Sequence, residues 1–216
     1  MKKNVDLVKE QIKDYQDVHI VAATKYIDAA KMRELYNAGI TEFGENRVEA
    51  FLEKKAALSD LAITWHIIGT LQTKKAKKVV NEIDYLHSLD NMKLALELNK
   101  RRIKPLKCFI QVNISNEDSK HGLNPSEVTD FVKSLQELDK IEVIGLMGMA
   151  ELSLDEDIVS AQYFKLNVLQ QNIKKELNID LKELSIGMSN DYLIALKHNA
   201  TYLRLGSILF RSEVFT

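Results

Sequence analysis

The chain has 216 residues, 45% of them hydrophobic and 28% charged, with a formal net charge of -1 and a mean hydropathy of -0.20. That composition supplies a sizeable core and excludes a disordered chain. The near-zero charge excludes a global basic field for nucleic acid or an anionic membrane, so an anionic ligand has to be bound locally.

The N-terminal stretch MKKNVDLVKEQIKDYQ alternates charge with apolar residues. It predicts a short helix and is unlike a signal peptide, and no apolar run approaches the about 18 residues of a membrane span. Apolar, β-favouring runs then recur at 19–25, 40–46, 63–69, 84–90, 106–114, 142–150, 183–188 and 202–210. Segments with helical spacing lie between them. In AAKMRELYNAG, Met32, Leu35 and Tyr36 share one face and Gly39 offers a stop. The others are NRVEAFLEKKAAL, TKKAKKVVNE, NMKLALELNKRR, NPSEVTDFVKSLQEL, residues 155–177 and NDYLIALKHN.

No Gly-, Ser- or Pro-rich linker interrupts this alternation, so residues 1–216 read as a single domain. The predicted fold class is α/β, a (β/α)8 TIM barrel with an extra N-terminal helix. A doubly wound open sheet is the alternative. It usually has a glycine-rich turn after the first strand, and ATKYIDAAK contains no glycine. In a barrel of this kind, active sites sit at the C-terminal ends of the strands.

Lys25 ends the first strand there. Strand alternation puts Val21, Ala23 and Lys25 on the interior side and Ala22 and Thr24 against the helices. Apolar walls lower a lysine's pKa and make its amine a nucleophile for carbonyls, whereas a lysine that merely reaches water fits the same position. On the last strand, Arg204 lies between Leu203 and Leu205 and points inward, toward either a ligand or a structural carboxylate. After the seventh strand, Ser189 stands before Asn190 and Asp191 as a helix N-cap candidate, and Gly206 and Ser207 follow Arg204. Loops after strands seven and eight are a frequent phosphate site in this fold. A lysine, an inward arginine and a phosphate cup together describe a site for a phosphorylated aldehyde, and pyridoxal phosphate fits that description.

The stretches VAATKY, FGENRV (43–48), WHIIGTLQTKK (65–75), QVNISNEDSKHGL (111–123), GLMGMA (145–150), LSIGMSNDY (184–192) and YLRLGS (202–207) closely resemble the YggS/PROSC family of pyridoxal phosphate homeostasis proteins. That family looks like the barrel domain of alanine racemase without its second domain. The resemblance implies that Lys25 carries the cofactor as a covalent aldimine and that Asn46 sits beside its ring. It also implies that Ser189, Gly206 and Ser207 hold the phosphate, and that Arg204 faces the pyridine nitrogen. Lys74 in LQTKK and Arg211 after the final phenylalanine depart from the family pattern.

An arginine at the ring nitrogen cannot accept a proton, so the nitrogen stays unprotonated and the cofactor is a poor electron sink. Racemisation needs an acid and a base on opposite faces of the substrate carbon. By the resemblance, alanine racemase takes one of these, a tyrosine, from the second domain. The expectation is therefore a cofactor-binding homeostasis protein, with no catalytic residue assigned and PLP-dependent apoenzymes as recipients. A weak amino-acid racemase is the alternative. The lone Cys108, inside LKCFIQVNI, precludes an intrachain disulfide and fits a reducing cytoplasm. It reads as a buried core thiol. His19, His66, His87, His121 and His198 form no metal-ligand spacing, so no metal is expected, and His66 and His87 read as core or rim residues. The lysines of TKKAKK read as a solvated face, so no nucleic-acid partner is expected, and the protein is expected to be a monomer.

Overall fold

The structure, a computed structural model, describes residues 1–115 and 121–211. Residues 116–120 of the QVNISNEDSKHGL stretch, and the last five of the chain, lie outside the described residues. After α1 (Lys2–Ile12), strands and helices alternate: β1 (His19–Ala23), α2 (Ala29–Asn37), β2 (Glu42–Glu45), α3 (Val48–Ala57), β3 (Thr64–Ile67) and α4 (Thr73–Val79). They continue as β4 (Tyr85–Leu89), α5 (Met92–Arg101), β5 (Leu106–Val112), α6 (Val128–Leu135), β6 (Ile141–Gly148) and α7 (Glu156–Leu177), then β7 (Glu183–Met188), α8 (Tyr192–Lys197), β8 (Tyr202–Leu205) and α9 (Ser207–Phe210).

Each strand pairs in parallel with the next, and β8 returns to β1, which closes the predicted eight-stranded barrel. Along the seam His19 lies opposite Tyr202 and Val21 opposite Arg204, while on the other side of β1 Ala23 lies opposite Gly44. The period of two sorts the side chains as the sequence predicts for these strands. Val21 and Tyr202 pack inside the barrel with Ile68, Phe109 and Met147. Ala22, Leu203 and Leu205 belong to the larger apolar shell between barrel and helices. Cys108 also lies in that shell, where burial pushes its thiol pKa well up and leaves it inert.

The N-terminal helix is short but anchored. Val5, Val8 and Ile12 are buried, Asn4 Nδ2 donates to the carbonyls of Leu209 (3.4 Å) and Arg211 (2.9 Å), and Lys9 Nζ donates to Gly39 O at 2.9 Å. The helix thus ties the end of α2 to the turn after α9.

The last strand is shorter than its apolar run. It stops at Leu205, and Ser207–Phe210 coil into one helical turn with Leu209 buried and the Leu209 amide bonded to Gly206 O at 2.9 Å. Apolar content alone does not distinguish a strand from a turn of buried helix. Arg211 closes that turn through its amide, which donates to Ser207 O at 2.9 Å, so this departure leaves the final turn intact. The predicted NPSEVTDFVKSLQEL helix is likewise divided, into a 3-10 turn at Pro125–Glu127 and α6.

Candidate functional site

Parallel strands put all their C-terminal ends on one rim, and the six candidate residues lie there. Lys25 follows β1 by two residues, Asn46 directly follows β2, Ser189 directly follows β7, Arg204 is in β8, and Gly206 and Ser207 open α9.

Lys25 is exposed, its Nζ 4.7 Å from the centroid of the exposed Tyr26 ring, so the expected apolar enclosure is not found. β1 stops short of Lys25 because Thr24 is drawn down between barrel and helices. The Thr24 amide donates to Gly44 O at 3.0 Å, and its hydroxyl donates to Glu45 Oε1 at 2.6 Å. Glu45, 1% exposed, is paired with Lys54 Nζ, which also donates to Thr24 O at 2.7 Å. Glu45 Oε2 accepts from the Asn46 amide at 3.3 Å. One buried ion pair therefore fixes the residues just before Lys25 and Asn46, and its hydrogen bonds offset the cost of burying two charges.

Ser189 is not a helix cap. Asp191 stands at the N-cap position of α8 without a side-chain cap bond, and its carboxylate instead accepts from the Met188 amide at 2.6 Å and from the Tyr163 hydroxyl at 2.8 Å. The chain reaches this turn through Gly187 at φ +90, where a Cβ would lie 2.8 Å from that of Ala195. Two residues before the N-cap position, the Ser189 hydroxyl crosses to the next loop. Its oxygen accepts from the amides of Gly206 (3.0 Å) and Ile208 (3.3 Å). Two backbone N–H groups aimed at one oxygen form the kind of concavity that holds anions. Ser207 lies half-buried beside them.

Arg204 is 4% exposed. Its Nη1 donates to Ser185 O and Oγ, both at 2.6 Å, and its Nη2 donates to Gly148 O at 2.9 Å. Burial lowers its pKa, with Tyr163 and Asp191 opposing the shift, and an arginine keeps its charge regardless. Among the described residues no carboxylate hydrogen-bonds it, so of the two readings of an inward Arg204 the structural ion pair is absent. His66 and His87 are fully buried inside the barrel, core residues and not part of the rim.

A family model described as "Alanine racemase, N-terminal domain" matches residues 1–213. The chain is 37% identical over 194 residues to the pyridoxal phosphate homeostasis protein of Aquifex aeolicus, covering 88% of this chain and 85% of the relative. It is 35% identical over 218 residues to that of Schizosaccharomyces pombe, covering 97% and 91%. The chain belongs to the pyridoxal phosphate homeostasis protein family. The solved structure of PipY from Synechococcus elongatus PCC7942 with PLP bound superposes with a TM-score of 0.89 at 31% identity, covering 97% of this chain and 99% of that one.

In this homeostasis family member, several residues that shape the rim left no signal in the sequence. Lys54 is a helix lysine with no local motif around it, Ser185 lies inside LSIGMSNDY, where only Ser189 drew attention, and Glu45 lies inside FGEN, where only Asn46 did. Asp191 carried a recoverable signal, since aspartate is as good an N-cap as serine and lies next to the first helical residue.

Proposed function

We propose that the chain binds pyridoxal phosphate as a Schiff base on Lys25 and serves its buffering and delivery in the cytoplasm, with PLP-dependent apoenzymes as recipients and the monomer as the working form. The observation that carries this reading is the joining of the β7 and β8 loops, where the Gly206 and Ile208 amides converge on the Ser189 hydroxyl one register step above Arg204. A phosphate oxygen suits those two amides, and Gly206 places no side chain beside its own amide. Lys25, on the neighbouring strand end, supplies the amine. That amine would hold the cofactor through its aldehyde as an imine, with one water released.

Arg204 supports holding over catalysis. It is a permanent donor beneath the ring position, so it gives the ring nitrogen a hydrogen bond but no proton, which withholds the electron sink that transamination requires. The test is an absorbance spectrum of the purified protein loaded with pyridoxal phosphate. The expected band is bleached by borohydride and absent in Lys25→Ala, and a chain that cannot be loaded sinks the proposal. Incubation with L- and D-alanine separates carrier from racemase: turnover of about one per second or more, ordinary for an enzyme, overturns the carrier reading.

A further inference from the structure

Beneath the candidate site, a line of polar side chains crosses the barrel interior. Ser185 Oγ, which accepts from Arg204 Nη1, lies 2.7 Å from His87 Nδ1, and His87 Nε2 lies 2.9 Å from His66 Nδ1. His66 Nε2 is 3.1 Å from Glu42 Oε2, poorly aligned for a hydrogen bond but close enough for attraction. Glu42 Oε1 meets His19 Nδ1 at 2.7 Å, at the N-terminal end of the barrel. His66, His87 and Ser185 are all fully buried.

The two ends of the line set its direction. Arginine only donates and an ionised carboxylate only accepts. Having accepted from Arg204, the Ser185 hydroxyl directs its single proton to His87 Nδ1. His87 then carries its proton on Nε2 and donates to His66 Nδ1, which leaves the His66 proton on Nε2, facing Glu42. The reverse order would turn a ring lone pair onto the carboxylate. Burial holds both rings neutral: it lowers the His87 pKa, helped by the charge of Arg204, and lowers that of His66 against the pull of Glu42.

We propose that Ser185 and His87 are positioning residues for Arg204, and that Glu42 polarises a one-way hydrogen-bond wire whose far end keeps the guanidinium facing the ligand. Three of the five guanidinium N–H groups are committed to Ser185 and Gly148. Of the remaining two, one serves the single lone pair of the ring nitrogen, a step that rests on the proposed binding of pyridoxal phosphate. The wire also gives a buried cation a counter-charge that it never touches, which suits a site where a carboxylate beside the ring would repel the phosphate of the same ligand.

Two measurements test this. In the 15N-labelled full chain without cofactor, ring-nitrogen chemical shifts near pH 7.5 are expected to show His66 and His87 neutral and protonated on Nε2. In Glu42→Gln, whose amide both donates and accepts, the His66 proton is expected to spread over both nitrogens. A proton on His87 Nδ1, an imidazolium at either ring, or an unchanged His66 in Glu42→Gln overturns the wire. In the second measurement, pyridoxal phosphate binding is followed by absorbance in Ser185→Ala and Ser185→Thr. The alanine variant is expected to bind about tenfold more weakly with a displaced absorbance maximum, and the threonine variant, which keeps the hydroxyl, to restore both. An alanine variant that binds and absorbs like the unaltered chain overturns the positioning role. An unaltered chain that binds no pyridoxal phosphate defeats the proposed function instead, and the tautomers still decide the wire.

Discussion

The backbone amide of Gly206 donates to the Ser189 hydroxyl across 3.0 Å, so a single side-chain oxygen joins the loop after β7 to the first turn of α9. In the proposed complex a phosphate oxygen takes the amides of Gly206 and Ile208, and the Ser189 hydroxyl turns its proton onto the phosphate as a further donor. Replacing Ser189 with alanine is expected to cut the preference for pyridoxal phosphate over pyridoxal about tenfold, the worth of one hydrogen bond to a charged group. Equilibrium dialysis with both ligands reads the ratio, and an unchanged preference counts against the cup.

Gly187 holds the turn that delivers Ser189. At φ +90 an L side chain is strained, and its Cβ would crowd Ala195 at 2.8 Å. Gly187→Ala is expected to cost about 1–3 kcal/mol in chemical denaturation. A midpoint equal to that of the unaltered chain would show that the turn relaxes freely.

Lys54 is the partner of a carboxylate with almost no access to water. Lys54→Met strands that charge and is expected to cost about 3–5 kcal/mol, while Lys54→Met combined with Glu45→Leu recovers most of the loss. If the double variant is as unstable as the single one, the pair acts through packing and not through charge.

The buried histidines set an acid limit on stability. Their folded pKa values lie below the ordinary 6.5, so the folded chain refuses protons that the unfolded chain takes up. Their contribution is complete above about pH 6.5 and is lost as pH falls below it. His19 opposes this, since hydrogen bonding to Glu42 raises its pKa, and its contribution fades instead as pH rises through that raised value. Glu42, held at about 2 by His19 and His66 against the effect of burial, adds a second loss between 4.5 and 2. In His87→Gln the stability-versus-pH slope between 6.5 and 5 is expected to flatten by up to about 1.4 kcal/mol per pH unit. Parallel curves for the two proteins would contradict this.

The barrel was legible because its signals are local. Alternation within HIVAA and YLRL sorts Val21 and Arg204 inward and Leu203 and Leu205 outward, and pairing in register brings those inward residues together. The rim positions of Lys25, Ser189, Gly206 and Ser207 followed from where the strand runs end, while Asn46 came only from the family resemblance. What escaped was set by partners distant in sequence. Lys25 is exposed because Glu45 and Lys54 take hold of Thr24, and Ser189 falls short of the helix start because Asp191, bonded by Tyr163 and Met188, takes the N-cap position. The His66–His87 contact depends on the alignment of adjacent strands, and the Ser185 contact reaches across the barrel, which no local spacing encodes.

The seam between β1 and β8 joins the first strand of the barrel to its last. Lys25 precedes Arg204 by nearly the whole barrel, with Val21 and Arg204 becoming neighbours only when the circle closes. A nascent or truncated chain therefore displays the amine without the arginine or the Ser189–Gly206 cup. In the proposed complex, both halves of the site are needed at once, so binding is expected to favour the completed ring over a partly folded chain.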